Sequence, residues 1–147
     1  MTGLSLPSGA HAVTLVNSAG AIQDPVLGYP AAAVPLIAGS GNVANAAATA
    51  TLTGTATTTV YISGFEMTAA GATAALPVIL TVTGLLGGTR SWIFEFPAGA
   101  TASAYPLVIQ FDPPLPASAV NTAIVASCPA GGLGNTHAAI VAHGFYL

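Results

Sequence analysis

Two runs of alternating residues near the middle of the chain restrict the fold more than any other feature. In the first, Trp92, Phe94 and Phe96 take every second position, with Ser91, Ile93 and Glu95 in the alternate places. In the second, Tyr105, Leu107, Ile109 and Phe111 do the same. A period of two sends alternate side chains to opposite faces of a pleated strand, so each run offers one apolar face to a core and the other to a surface. Pro97 has no N–H for a ladder and ends the first run. The segment containing Gly99 is short enough to return the chain as a hairpin. The expectation is a hairpin over residues 88–112, its two apolar faces meeting in one core at the heart of a β-sandwich.

The same reading extends in both directions. Residues 48–53, Ala-Thr-Ala-Thr-Leu-Thr, form a weak strand closed by Gly54. Residues 58–68 form a strong one, with Val60 and Ile62 on one face, Tyr61, Phe65 and Met67 on the other, and Gly64 marking a bulge. Leu76, Val78, Leu80 and Val82 point one way from a third strand that Gly84 closes, and Gly87-Gly88 is a turn. Residues 112–118, Asp-Pro-Pro-Leu-Pro-Ala-Ser, lack almost every donor and predict a crossing loop rather than a strand. Alternation resumes over residues 121–128 and stops at Pro129; a glycine-rich loop follows, and residues 137–146 make the last strand. Alanine is abundant, but its Thr, Val and Gly neighbours oppose helix, and no stretch has a helical period with a cap.

Residues 1–40 differ in character. Pro7, Pro25, Pro30 and Pro35, with glycines among them, predict an extended N-terminal arm, within which residues 11–16, His-Ala-Val-Thr-Leu-Val, are a candidate strand. The sandwich domain is then residues 41–147. Seven strands after residue 48 and one from the arm give eight, the number of a jelly roll. The fold class expected is all-β, a single antiparallel β-sandwich of jelly-roll type. A seven-stranded immunoglobulin-like sandwich is the alternative, although the paired cysteines of such domains are missing.

Charge excludes more than it suggests. The chain of 147 residues suits one domain, and only 3% of it is charged against roughly 25% in ordinary soluble domains. It has no lysine, and Arg90 is its one arginine, so it lacks the cations that displace counterions from nucleic acid. A mean hydropathy of +0.77 raises the membrane question. Yet no run approaches the ~20 apolar residues of a spanning helix, and no membrane partner is expected. The first nine residues have neither a positive region nor a continuous apolar core, so they do not read as a signal peptide, and the expected place of synthesis is a cytoplasm. A surface of Thr, Ser, Asn, Gly and Ala lacks the repulsion that keeps monomers apart, which favours burial against other copies or another protein.

The residues available for chemistry are few. His137 and His143 are six apart, on one face of a strand but ~20 Å from each other, too far to share a metal. Arg90 and Glu95 face opposite sides of their strand. Glu66 and Glu95 are read either as a buried pair or as solvated strand-end residues. Cys128 has no partner for an intrachain disulfide and no basic neighbour to activate it, and reads as a small buried hydrophobe. The glycine runs at 84–88 and 131–134 lack the Gly-Lys-Ser/Thr ending of a phosphate loop. No catalytic, cofactor-binding or metal set is assigned, and the chain is read as non-enzymatic.

The strings Phe96-Pro-Ala-Gly-Ala, Pro106-Leu-Val-Ile-Gln-Phe-Asp-Pro-Pro-Leu-Pro-Ala-Ser118, Asn121-Thr-Ala-Ile-Val and Gly134-Asn-Thr-His-Ala-Ala-Ile-Val-Ala-His-Gly144 carry a resemblance in texture. Over residues 41–147 the chain resembles the small β-sandwich or jelly-roll decoration (cement) proteins on the heads of tailed bacteriophages. The resemblance implies a structural virion protein on the capsid surface, assembled in the host cytoplasm, with the major capsid protein as partner and a homotrimer as its assembly. On that reading the arm clamps a neighbouring shell subunit. Two other roles fit the same sequence. One is a tail or head-fibre module binding a receptor or glycan, with Trp92, Tyr29, Tyr61, Tyr105 or Tyr146 stacked on a sugar. The other is a self-assembling shell or tube subunit.

Overall fold

The computed structural model describes residues 29–30, 32–99, 106–132 and 136–147. Its eight strands are β1 (Val34–Gly39), β2 (Ala48–Leu52), β3 (Val60–Ala70), β4 (Leu76–Thr83), β5 (Arg90–Phe96), β6 (Leu107–Pro116), β7 (Ile124–Cys128) and β8 (His137–Tyr146). They form two four-stranded sheets, ordered β1-β8-β3-β6 and β2-β7-β4-β5, and every pairing between these strands is antiparallel. The first strand pairs with the last, the second with the seventh, the third with the sixth in one sheet or the other, and β4 pairs with β5. That nesting is a long hairpin rolled over on itself, which is the jelly roll, and not the immunoglobulin-like alternative.

The core lies between the sheets. Phe65, Phe96, Leu52, Ile62, Met67, Leu80, Ile124 and Ile140 are fully buried there. Each such side chain contributes about 1.5–3 kcal/mol by leaving water. Alternation sets the inner faces: β2, β7 and β8 bury every second residue over most of their length.

Strand β3 departs from this rule at its bulge. Its register against both β6 and β8 shifts between Ile62 and Gly64. The extra residue, Ser63, changes the parity, so Val60 and Ile62 before it and Phe65 and Met67 after it all face the core. Gly64 does mark a bulge, as its sequence position implies, but the expected division of these four side chains between opposite faces is corrected by it. The Ser63 hydroxyl donates to the His143 carbonyl at 3.1 Å.

Three other expectations change. The run at Arg90–Phe96 and the run at Leu107–Pro116 do not pair as a hairpin: β5 pairs with β4, and β6 with β3 in the opposite sheet. Their apolar faces still meet, across the sandwich. Trp92 lies 5.1 Å from Phe65 and 6.1 Å from Phe111, ring centre to ring centre, and Phe65 lies 6.3 Å from Phe111. Second, the proline-rich segment is strand and not loop. Pro116 and Leu115 oppose Tyr61 and Ile62, and the Asp112–Pro113 peptide is cis. Prolines are tolerated because β6 is the outermost strand of its sheet, where one side needs no donors. Third, the sandwich begins at Val34, inside the stretch assigned to the arm, because Val34–Gly39 pairs along its whole length with β8. The candidate strand at residues 11–16 and Tyr105 lie outside the described residues.

Candidate interaction surface

Each sheet turns one face outward, and these faces carry what chemistry the described residues offer. On the β1-β8-β3-β6 sheet, the pairings align Ile37, His143, Gly64 and Gln110 in one row. His143 Nε2 and Gln110 Oε1 stand 3.3 Å apart over Gly64. A Cβ on Gly64 would come within 2.8 Å of that histidine nitrogen, 2.7 Å of the glutamine oxygen and 2.6 Å of the Ile109 carbonyl, so glycine is what lets the two side chains meet. The next row aligns Gly39, Val141, Glu66 and Val108, an exposed carboxylate between two partly exposed valines.

At the other side of that sheet Tyr61 stacks on Phe145, centroids 4.9 Å apart and planes 9° from parallel. Pro35 and Pro116 flank them in the same row. His137 Nδ1 lies 3.3 Å from Asn42 Oδ1 beside a shallow pocket floored by alanines and edged by Thr68. The two histidines share the outer face of β8, as their spacing requires.

The β2-β7-β4-β5 sheet is different. Its pairings place Thr49, Ser127, Thr81 and Ser91 in one row, a band of hydroxyls across all four strands. Thr49 Oγ1 and Ser127 Oγ share a hydrogen bond at 3.0 Å. Beyond that band lies an apolar pair at the sheet's edge, Ile79 opposite Ile93, 60% and 78% exposed. Glu95 completes the outer side of β5.

Glu66 and Glu95 are therefore not a buried pair: both are exposed, on the outer faces of different sheets. Trp92 and Tyr146 pack against the core, and Tyr61 against Phe145, so their main contacts are internal. Tyr29 lies ahead of β1 in the chain. Cys128 ends β7 fully buried, and burial pushes its thiol up from 9.0 to about 11. A thiol held neutral in this way is a poor nucleophile. Among the described residues no three His, Cys, Asp or Glu side chains gather as a metal site, and no helix is long and apolar enough to cross a membrane. Sequence reasoning missed the His143–Gln110 contact, since the bulge that aligns the two strands is a property of three strands together.

Neither a protein-family model, a curated protein nor a solved structure matches this chain.

Proposed function

We propose that this chain is a non-enzymatic structural protein of a tailed-bacteriophage virion, decorating and stabilising the capsid exterior through many weak contacts with the major capsid protein. The observation that carries the reading is the character of the two outer faces. They are broad sheet surfaces of hydroxyls, small residues and scattered aliphatics, with Glu66 and Asp112 as the carboxylates of one, Glu95 as that of the other, and no lysine to repel a neighbour. Such faces suit shape-matched, distributed contact, in which many modest terms hold a particle subunit. On this reading the residues before Val34 would reach a neighbouring shell subunit and add to one of its edges. The texture of residues 41–147 supports the same role.

Copy number decides it. Quantitative peptide mass spectrometry on purified particles should find this chain in amounts comparable to the most abundant shell protein. A handful of copies per particle would move it to the tail or a fibre, and absence from particles would overturn the virion reading. For the arm, removing residues 1–30 should weaken shell binding by about tenfold or more, since a second tethered contact adds at least that much avidity. Unchanged binding would sink that part.

A further inference from the structure

We propose that the chain self-associates through β5, two copies pairing edge to edge about a two-fold axis at Ile93, so that the β2-β7-β4-β5 sheets join into one of eight strands. This goes beyond the virion reading and does not depend on it. It also stands in place of the three-fold assembly that the resemblance implies.

An exposed edge strand is a template for another strand unless something blunts it. Among the described residues, three of the four edges are blunted. Strand β6 carries Pro113, Pro114 and Pro116, β1 carries Pro35, and β2 is only five residues long. Strand β5 has seven residues, no proline, no lysine and an outward isoleucine at its midpoint, 78% exposed. Its one cation, Arg90, is at its end.

The strand is also complementary to itself. With Ile93 on the axis, antiparallel pairing places Ile93 beside Ile93 of the second copy on the outer face. Ser91 then stands opposite Glu95 of the second copy, and Glu95 opposite Ser91, so each carboxylate gains a hydroxyl donor and no like charges meet. This register overlaps all seven residues and leaves every side chain on the face it already occupies, so it satisfies the rule for an isologous contact. On the inner side Trp92 comes opposite Phe94 of the second copy, at the margin where Trp92 and Phe111 are only partly buried. Seven paired residues form a contact ~24 Å long, which is smaller than the roughly 800 Å² per partner of a standard interface. The dimer is accordingly one that dilution through the micromolar range takes apart.

Sedimentation velocity on the full chain from about 5 µM to 1 mM tests this, with Trp92 emission read on the same samples. The wild type should approach twice the 14.3 kDa protomer mass at the upper end, with Trp92 emission shifting red on dilution. Ile93→Lys and Ile93→Glu should each raise the dissociation constant at least tenfold, because like charges would face each other across the axis. A 1:1 mixture of the two variants should restore the dimer, since Lys would then face Glu. A wild type that stays monomeric at 1 mM, a trimer, self-association that Ile93→Lys leaves intact, or a variant mixture that remains monomeric would each overturn the proposal.

Discussion

Strands β5 and β6 are neighbours in the chain, similar in apolar content and both outermost in their sheets, yet they solve the problem of an edge in opposite ways. Strand β6 gives up donors: three prolines crowd its second half. Strand β5 keeps all its donors and presents Ile93 and Glu95 to solvent. The inward sides of the two strands are alike, since Trp92 and Phe111 both lean on Phe65. Inner faces are thus governed by the common core, whereas edges are governed by what each is permitted to meet.

The largest expected effect treats the two strands equally. Phe65→Ala removes the ring that both lean on and should cost about 3–5 kcal/mol in urea unfolding monitored by Trp92. A smaller loss than about 1 kcal/mol would mean that the aromatic cluster is not what couples the two edges.

Gly64→Ala separates them. The added methyl would press on the Ile109 carbonyl of β6 and on the His143–Gln110 contact, with an expected cost of about 1–3 kcal/mol. Amide exchange should locate it: protection falls along residues 107–110 while the β4–β5 ladder keeps its protection. Equal losses in both would show that the bulge does not act on β6 selectively.

Cys128 provides a comparison remote from both edges. Its thiol binds its proton more tightly folded than unfolded, with the value raised from 9.0 to about 11. Stability is therefore fully present below pH 9, and falls as pH rises toward 11 because only the unfolded thiol ionises. The loss should reach about 2–3 kcal/mol by two pH units of difference, and Cys128→Ala should abolish that slope while lowering stability at neutral pH. A slope that survives the substitution would assign the alkaline loss elsewhere.

The smallest effect on stability belongs to Ile93→Lys, within about 0.5 kcal/mol in dilute protein, because the side chain is 78% exposed. A large loss of monomer stability would mean that Ile93 supports its own fold rather than an edge contact.

Much of the fold is legible in single residues. The last strand was readable at His137–Tyr146, β2 at Ala48–Leu52, and Gly64 as a bulge, because alternation and a glycine inside a strand act locally. Cys128 was readable as buried, since a lone cysteine among alternating Val and Ala has no other call on it. Strand β1 was hidden, because Pro35 and an edge position remove both the alternation and the β-branched run that mark a strand. The His143–Gln110 contact was hidden too, since it joins β8 to β6 across a third strand.

The all-β character, the position of most strands, the inward sides of β5 and β6, and a surface almost without charge are written in the order and type of the side chains. Those follow from side-chain type and a period of two, which need no partner to be read. Which strands pair, the parting of β5 and β6 into opposite sheets, and the use of a proline-rich segment as an edge are settled by the folded chain alone. Pairing is a contact between residues far apart in the chain, and an apolar face is equally satisfied by a neighbour in its own sheet or by the sheet across the core. The rolled topology chooses between them by bringing the apolar face of each strand to the one core between the sheets.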